Sequence, residues 1–151
     1  MFTSKEILDI ALKIEQNGEA VYRQAAHGLA NPDLTKQLIW MADEEARHAK
    51  WFMQLQADLP THNNRIAVDE MNSDVLHDLI GGQSFTLQDI DFPGVDDMQK
   101  LIDIFIEFEK DGILFYELLR TFIKDQDVLE NLDQIIDEEY RHIEILQEIK
   151  S

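Results

Sequence analysis

Two long segments of this 151-residue chain, 3–57 and 97–151, align with one another without a gap. The segment 45–48 reads Glu-Ala-Arg-His and the segment 139–142 reads Glu-Tyr-Arg-His, an offset of 94 positions (139 − 45 = 94). The same offset relates a Glu-x-x-Gly-x-x-x-Tyr pattern in the first segment to an identical pattern in the second. Because one constant offset joins all of these unusual positions, the chain is predicted to contain an internal duplication.

Each copy is predicted to form two helices, because its apolar residues recur at alternating steps of three and four, the spacing of one helix face. The predicted faces carry Leu8, Ala11, Glu15, Gly18, Tyr22, Ala25 and Leu29 in helix 1; Leu34, Leu38, Met41, Glu45, His48, Phe52, Leu55 and Leu59 in helix 2; Ile102, Phe105, Glu109, Gly112, Tyr116, Leu119 and Ile123 in helix 3; and Val128, Leu132, Ile135, Glu139, His142, Leu146 and Ile149 in helix 4. Charged residues stand in the middle of each face, where a plain apolar core would not place them.

These helices predict an all-α fold, an antiparallel four-helix bundle in a single domain spanning 1–151. The connector from about 60 to 95 is too long for a simple turn between neighbouring helices. It suits a long crossover between helices 2 and 3, in which the chain travels back along the bundle. The apolar residues of this connector offer a surface for a homodimer, and they are Phe85, Leu87, Ile90 and Phe92.

The helix boundaries follow from capping residues. Asn31 is predicted to cap helix 2, with Pro32 at its first position, where the missing N–H costs nothing. Helix 3 is predicted to begin at Asp96, and helix 4 at Asp125 or Asp127, because aspartate is a favourable N-cap.

Composition excludes several classes of function. The formal net charge is −18, so binding to a nucleic acid backbone or to an anionic membrane surface is not expected. The chain has no Cys, which excludes disulfides, thiolate metal sites and cysteine nucleophiles. It shows neither a secretory signal pattern nor an apolar run long enough to span a bilayer. A cytoplasmic location is therefore expected.

Four carboxylates and two imidazoles are expected to converge inside the apolar bundle. Buried carboxylates that lack a counter-charge are costly, and close neighbours repel one another. Two divalent cations would neutralise four carboxylates. Oxygen and nitrogen ligands without sulfur fit iron or manganese, and zinc is also possible. The candidate ligands are Glu15, Glu45, His48, Glu109, Glu139 and His142.

In identity, order and spacing, these residues resemble the ligands of ferritin-like di-metal carboxylate proteins, and the chain looks closest to the rubrerythrin-type di-iron domain. The resemblance covers nearly the whole chain apart from the connector. It implies that Glu45 and Glu139 bridge two iron ions. It also implies that the two earlier Glu residues are terminal ligands and that each His completes one metal. Tyr22 and Tyr116 resemble the family's tyrosines that donate hydrogen bonds to a ligand carboxylate.

The chain departs from the rubrerythrin pattern in two respects. Rubrerythrins commonly carry an additional Glu at the position of Gly112, and they often carry a Cys-rich rubredoxin segment that supplies electrons. Without that segment, electrons would have to come from a separate donor protein. The ligand set is in these respects closer to bacterioferritin-type ferroxidase centres and di-metal oxidases. Gly18 and Gly112 would either permit close helix packing or clear space beside the metals for a small substrate.

The resemblance implies a di-iron oxidoreductase that acts on hydrogen peroxide or dioxygen. Rubrerythrin-like peroxide reduction, in defence against oxidative stress, is the first expectation. A ferroxidase or iron-handling protein that uses the same site is the alternative within this class. A metal-binding module without turnover is the alternative outside it.

The acids beside the candidate ligands also carry expectations. Asp43 and Asp137 are expected to orient the His ring of the opposite helix, a frequent role of carboxylates around a metal site. Glu44 and Glu138 rotate off the predicted faces and are expected to be surface charges.

Overall fold

The structure is a computed structural model that describes residues 4–58 and 98–150. Four α-helices make up most of these residues: α1 Ser4–His27, α2 Pro32–Asp58, α3 Met98–Arg120 and α4 Gln126–Lys150. Short connections join α1 to α2 and α3 to α4, so the members of each pair run antiparallel. The predicted all-α four-helix fold is confirmed.

In each pair, a polar side chain caps the N-terminus of the second helix. The Asn31 Oδ1 atom accepts hydrogen bonds from the backbone N–H of Asp33 at 3.1 Å and of Leu34 at 3.3 Å. The Asp125 Oδ1 atom accepts one from the N–H of Val128 at 3.1 Å. These bonds satisfy donors that the first turn of a helix leaves without a partner. The predicted cap of α2 is confirmed, and α4 takes the first of its two predicted caps.

The four predicted faces form the core. Every member of these faces that the structure describes is buried or packs against the buried cluster. Helix α3 buries a wider face than predicted, because Phe108 and Phe115 are also almost fully buried. Large aromatic rings therefore fill much of the space around the middle of the bundle.

Several predictions concern residues outside the described ranges. They include the start of helix 3 at Asp96, the long crossover, and the apolar connector residues that suggested a homodimer. The prediction that the chain forms a single domain with an internal duplication stays a prediction. None of the helices that the structure describes is both long and apolar enough to cross a membrane.

Candidate metal centre

The structure brings all six candidate ligands together in the middle of the bundle, and each is at most 3% exposed. One group consists of Glu15, Glu45, His48 and Glu139, and a second group consists of Glu45, Glu109, Glu139 and His142. In each group, one potential ligand atom per residue lies within 4.8 Å of the others. Glu45 and Glu139 belong to both groups, which is the arrangement that two bridging carboxylates require.

Each helix contributes through a simple local rule. The Glu and His of α2 are three positions apart, as are those of α4, so each pair lies on one helix face. The faces of α1 and α3 each add one Glu. Because equivalent residues of the two copies lie on equivalent helix faces, the candidate ligands form two similar groups.

The two nitrogen atoms of the His48 ring face opposite ways, one towards the centre of the cluster and one towards its solvent side. Its Nδ1 atom lies 2.9 Å from Glu139 Oε1 and 3.4 Å from Glu15 Oε2. Its Nε2 atom lies 3.0 Å from Glu138 Oε2, on the solvent side. The inner nitrogen is therefore the one that faces the candidate metal position.

The ring of His142 has the same orientation. Its Nδ1 atom lies 2.9 Å from Glu45 Oε1, 3.2 Å from Glu139 Oε2 and 3.3 Å from Glu109 Oε1. Its Nε2 atom lies 2.9 Å from Glu44 Oε1. A carboxylate on the opposite helix thus holds the outer nitrogen of each candidate His ligand, which orients the ring.

The expected roles of the neighbouring acids were wrong. The Asp43 side chain is 63% exposed and accepts a hydrogen bond from Arg23 at 2.9 Å, and Asp137 is exposed. Glu44 and Glu138, expected to be surface charges, hold the His rings instead. Glu44 lies four positions before the His of its own helix, one full turn, and so it shares that flank of α2. This spacing was the signal in the sequence that could have identified the pair.

The two candidate tyrosines contact carboxylates of the opposite sequence copy. The Tyr22 hydroxyl donates a hydrogen bond to Glu109 Oε1, and the Tyr116 hydroxyl donates one to Glu15 Oε1 at 2.7 Å. Both side chains are fully buried. The contact that the resemblance implied is present for both tyrosines, whereas a role in a reaction stays a prediction.

The carboxyl groups of the cluster differ in charge when no cation is bound. Burial, followed by repulsion from Glu139, raises the pKa of Glu15, Glu45 and Glu109 above the ordinary value. Burial would also raise the pKa of Glu139, but hydrogen bonds with Glu109 and with both histidines hold it well below the ordinary value. The cluster therefore retains protons that bound cations would replace.

The two imidazoles also retain protons, but they do so through contacts with carboxylates and against the effect of burial. Burial by itself would lower the pKa of His48, but the charge of Glu15 and hydrogen bonds with Glu138 and Glu139 raise that pKa to about 12. Burial and hydrogen bonds act in the same opposing way on His142 and raise its pKa to about 12. Binding of a metal at either Nδ1 atom requires the loss of its proton.

The two glycines of the repeat have different surroundings. A Cβ atom on Gly18 would lie 3.0 Å from Glu45 Oε2 and 3.2 Å from Phe108 Cε1. A Cβ atom on Gly112 would meet only Ile14 Cγ2, at an ordinary distance of 3.5 Å. Gly18 thus allows the close approach of a candidate ligand, whereas Gly112 has room for a methyl group.

Three buried carboxylate oxygens of the cluster form no hydrogen bond within the described residues, although each lies 2.9–3.4 Å from a histidine Nδ1 atom: Glu15 Oε2, Glu45 Oε1 and Glu139 Oε2. A buried acceptor without a partner is costly, and a bound cation would remove that cost. The donor set contains only carboxylate oxygen and imidazole nitrogen, which suits iron or manganese. The residues therefore fit a pair of divalent metal ions.

Comparison with known proteins agrees with this geometry. A family model described as Rubrerythrin matches residues 6–150. A crystal structure described as a ferritin-like diiron-carboxylate protein from Thermotoga maritima is 24% identical, with a TM-score of 0.69 over 99% of this chain and 95% of that chain. A hypothetical protein from Pyrococcus furiosus is 18% identical, with a TM-score of 0.69 over 99% and 89% of the two chains. No curated protein matched this chain.

Proposed function

The chain belongs to the rubrerythrin family, and from this premise we propose that it is a di-iron oxidoreductase that reduces hydrogen peroxide or dioxygen. Peroxide reduction, in defence against oxidative stress, is the leading activity. The observation that carries the proposal is the pair of buried ligand groups that share Glu45 and Glu139. Four carboxylates neutralise two divalent cations, so the loaded site adds no net charge to the core.

Each of the two groups of candidate ligands described above would bind one metal ion. Glu15 and His48 would hold one metal ion, Glu109 and His142 would hold the other, and Glu45 and Glu139 would belong to both sets. The proximity of each histidine Nδ1 atom to the carboxylates of its own group supports this division.

Bound iron would supply the one-electron changes between Fe(II) and Fe(III) that reduction of an O–O bond requires. The protein supplies the surroundings. The hydroxyl groups of Tyr22 and Tyr116 donate hydrogen bonds that orient the carboxylates of Glu109 and Glu15, respectively. The carboxylates of Glu44 and Glu138 orient the histidine rings through their Nε2 atoms. The buried aromatic rings keep bulk water away from the site, which strengthens each of these interactions.

The chain requires other molecules for turnover. Since it has no Cys, it carries no rubredoxin-type centre, and a separate electron-donor protein would reduce the loaded site. Hydrogen peroxide or dioxygen is the oxidant. A homodimer and a location in the cytoplasm stay predictions.

A ferroxidase or iron-handling function is the second candidate. It is favoured by Gly112, which stands where rubrerythrins commonly carry an additional Glu. Without that carboxylate, the ligand set contains only the six residues that bacterioferritin-type centres also require. A metal-binding module without turnover uses the same ligands and differs only in its chemistry.

One experiment separates these functions. Anaerobic protein is loaded with Fe(II) and then mixed with hydrogen peroxide or with dioxygen, while the visible absorption of Fe(III) is followed with and without a reductant. Faster oxidation by peroxide, with repeated turnover when reductant is present, is the expected result. Oxidation by dioxygen followed by release of iron would favour the ferroxidase. Stoichiometric binding without oxidation would overturn both enzymatic proposals.

The sharing of ligands gives a prediction about binding. Glu45→Ala should abolish binding at both metal positions, because it removes a shared ligand, whereas Glu15→Ala should weaken mainly one. Anaerobic calorimetric titration with Fe(II) measures the stoichiometry and the affinities. Glu107→Ala, at a side chain that is 68% exposed on α3, is the matched control. Equal partial losses in the Glu45 and Glu15 variants would contradict the shared role of Glu45.

A further inference from the structure

One arginine contacts two acidic side chains at the solvent side of the cluster. The Nη2 atom of Arg47, on α2, donates to Glu44 Oε2 at 2.9 Å and also contacts Glu138 Oε2 on α4. The two carboxylates are only 13% and 16% exposed, whereas the Arg47 side chain is 54% exposed. The guanidinium therefore forms an outer layer over two nearly buried carboxylates.

Each of these carboxylates also holds a candidate metal ligand. Glu44 Oε1 lies 2.9 Å from His142 Nε2, and Glu138 Oε2 lies 3.0 Å from His48 Nε2. One guanidinium thus stands one carboxylate away from both histidines. The path crosses between α2 and α4 twice, because each carboxylate bonds the His of the opposite helix.

We propose that Arg47 is a positioning residue that holds both histidine ligands, through Glu44 and Glu138, in the orientation that metal binding requires. This inference rests on the proposed metal centre. Two like-charged carboxylates at the same rim repel one another, and a guanidinium between them offsets that repulsion. Both contacts come from the Nη2 atom of Arg47, whose two N–H groups lie in the fixed plane of the guanidinium, whereas the N–H groups of a lysine ammonium rotate freely.

An exposed ion pair usually contributes little to stability. The contribution of Arg47 lies instead in geometry, because a carboxylate that turns away from Nε2 lets the imidazole ring rotate. Second-layer contacts of this kind typically change metal affinity by 10-fold to 100-fold when they are removed. Arg47 acts one layer further out, so we expect a loss of about 10-fold at both metal positions, the lower end of that range.

The duplication supplies a matched control. Arg141 occupies the position equivalent to Arg47 in the second copy and lines the same surface cavity between α2 and α4. Within the part of the chain that the structure describes, Arg141 does not join the contacts with Glu44 and Glu138. Among the described residues, Arg47 is therefore the one of the two equivalent arginines that contacts both carboxylates.

Metal affinity gives the first test. The wild-type protein, Arg47→Gln, Arg47→Lys and Arg141→Gln are titrated with Fe(II) without oxygen, and thermal unfolding of the metal-free proteins checks that each variant folds. We expect Arg47→Gln to bind both metals about 10-fold more weakly. Arg47→Lys should recover part of that loss, and Arg141→Gln should match the wild type.

A second readout needs no metal. In metal-free, ¹⁵N-labelled protein, the exchange of the Nε2 proton of His48 and of His142 with water reports whether each carboxylate still covers it. Arg47→Gln should accelerate exchange at both rings by at least several-fold, and Arg141→Gln should accelerate neither. A variant that merely lowered global stability would also change exchange at backbone amides of the core, which serve as the internal reference.

The outcomes separate the inference from the proposed function. If the wild type binds two metals and Arg47→Gln matches Arg141→Gln in affinity and exchange, the inference is overturned and the metal centre stands. A response of only one histidine also overturns it, because the shared role is lost. If the wild type binds no metal, the proposed function is overturned, and proton exchange alone decides whether Arg47 holds the two rings.

Discussion

Gly18 and Gly112 occupy equivalent positions in the two sequence copies, yet only one of them is required by its surroundings. At Gly18 the missing Cβ atom makes room for the Glu45 carboxylate and the Phe108 ring. At Gly112 a methyl group would touch only the Ile14 side chain, at an ordinary distance. Glycine in the middle of a helix costs about 0.5–1 kcal/mol relative to alanine. At Gly18 this cost is offset because the missing side chain makes room for Glu45, a candidate ligand, whereas the contacts of Gly112 provide no such compensation.

This difference predicts opposite results for the same substitution. Gly18→Ala should weaken binding of both metals, because the new methyl group pushes against a shared carboxylate. Gly112→Ala should leave binding unchanged and stabilise the metal-free protein by about 0.5–1 kcal/mol through its helix propensity. Denaturant unfolding and Fe(II) titration of the pair measure both effects. A loss of metal binding in Gly112→Ala would contradict this prediction and show that metal binding requires the empty space beside Gly112.

The acids next to the ligands show where inference from a single helix ends. Asp43 and Glu44 are neighbours in the sequence, and each recurs in the second copy. Helix geometry distinguishes the side of α2 on which each lies, but the partner of Glu44 is a ring on α4. Whether a side chain reaches that ring depends on the distance between two helices, which the sequence of either helix does not state.

At the level of helices, the N-termini of α2 and α4 are capped in the same way. Asn31 and Asp125 are separated by the same offset as the ligands, and each caps its helix through a side-chain oxygen. A helix N-terminus without such a cap exposes unsatisfied N–H groups. The equivalent positions of the two segments thus include the helix caps as well as the candidate metal ligands.

Loss of either cap should lower stability without affecting the metal centre. Asn31→Ala or Asp125→Ala should each reduce the free energy of unfolding of the metal-free protein by about 1 kcal/mol. The caps lie more than three helical turns from the Glu of the same helix, so metal affinity should not change. Denaturant titration and calorimetry measure the two quantities. Asn31→Asp retains a capping oxygen and is the control that should remain near wild-type stability.

The width of the buried face differs among the helices. The predicted face of α3 identified the residues that point towards the cluster. Phe108 and Phe115 lie outside that face and are buried too. Phe108 Cε1 lies so close to Gly18 of α1 that a Cβ atom there would be only 3.2 Å away. A helix-face analysis places the centre of a buried face well, but the extent of the face depends on how many neighbours cover it.

For the molecule as a whole, the ligand cluster links stability to pH. The folded-state pKa of Glu15, Glu45 and Glu109 is raised above the ordinary 4.5, so their contribution is present below pH 4.5 and is lost as pH rises through the raised values. The pKa of about 12 for His48 and His142 acts in the same direction, because that contribution is complete below pH 6.5 and is lost as pH rises towards 12.

Two carboxylates act in the opposite direction. The pKa of Glu139 is lowered, and the pKa of Glu138 is lowered to about 2, chiefly by its hydrogen bond with His48. Their contribution is present above pH 4.5 and is lost only as pH falls through the lowered values. Between pH 5 and pH 8 it is therefore nearly constant, and the groups with raised pKa values determine the trend.

We therefore expect the metal-free protein to lose stability between about pH 5 and about pH 8. Metal binding requires deprotonated ligands, so the stabilisation that metal provides should grow over the same range. Thermal unfolding of metal-free and metal-loaded protein at several pH values measures this widening difference in Tm. A metal-free Tm that rises from pH 5 to pH 8 would contradict the protonated state of the cluster. Zn(II) in place of iron is the control that removes redox chemistry.

The four helices, the face that each one buries and the six side chains that meet at the centre were all predictable from the sequence. They were predictable because helical spacing is a local property and because the same residue types recur in both segments at one constant offset. The tertiary structure alone decided which atoms meet. The inward Nδ1 atoms of the histidines, the outer contacts of Glu44 and Glu138, and the single guanidinium of Arg47 all join different helices. Such contacts depend on the separation and rotation of packed helices, and these follow from the packing of the whole core.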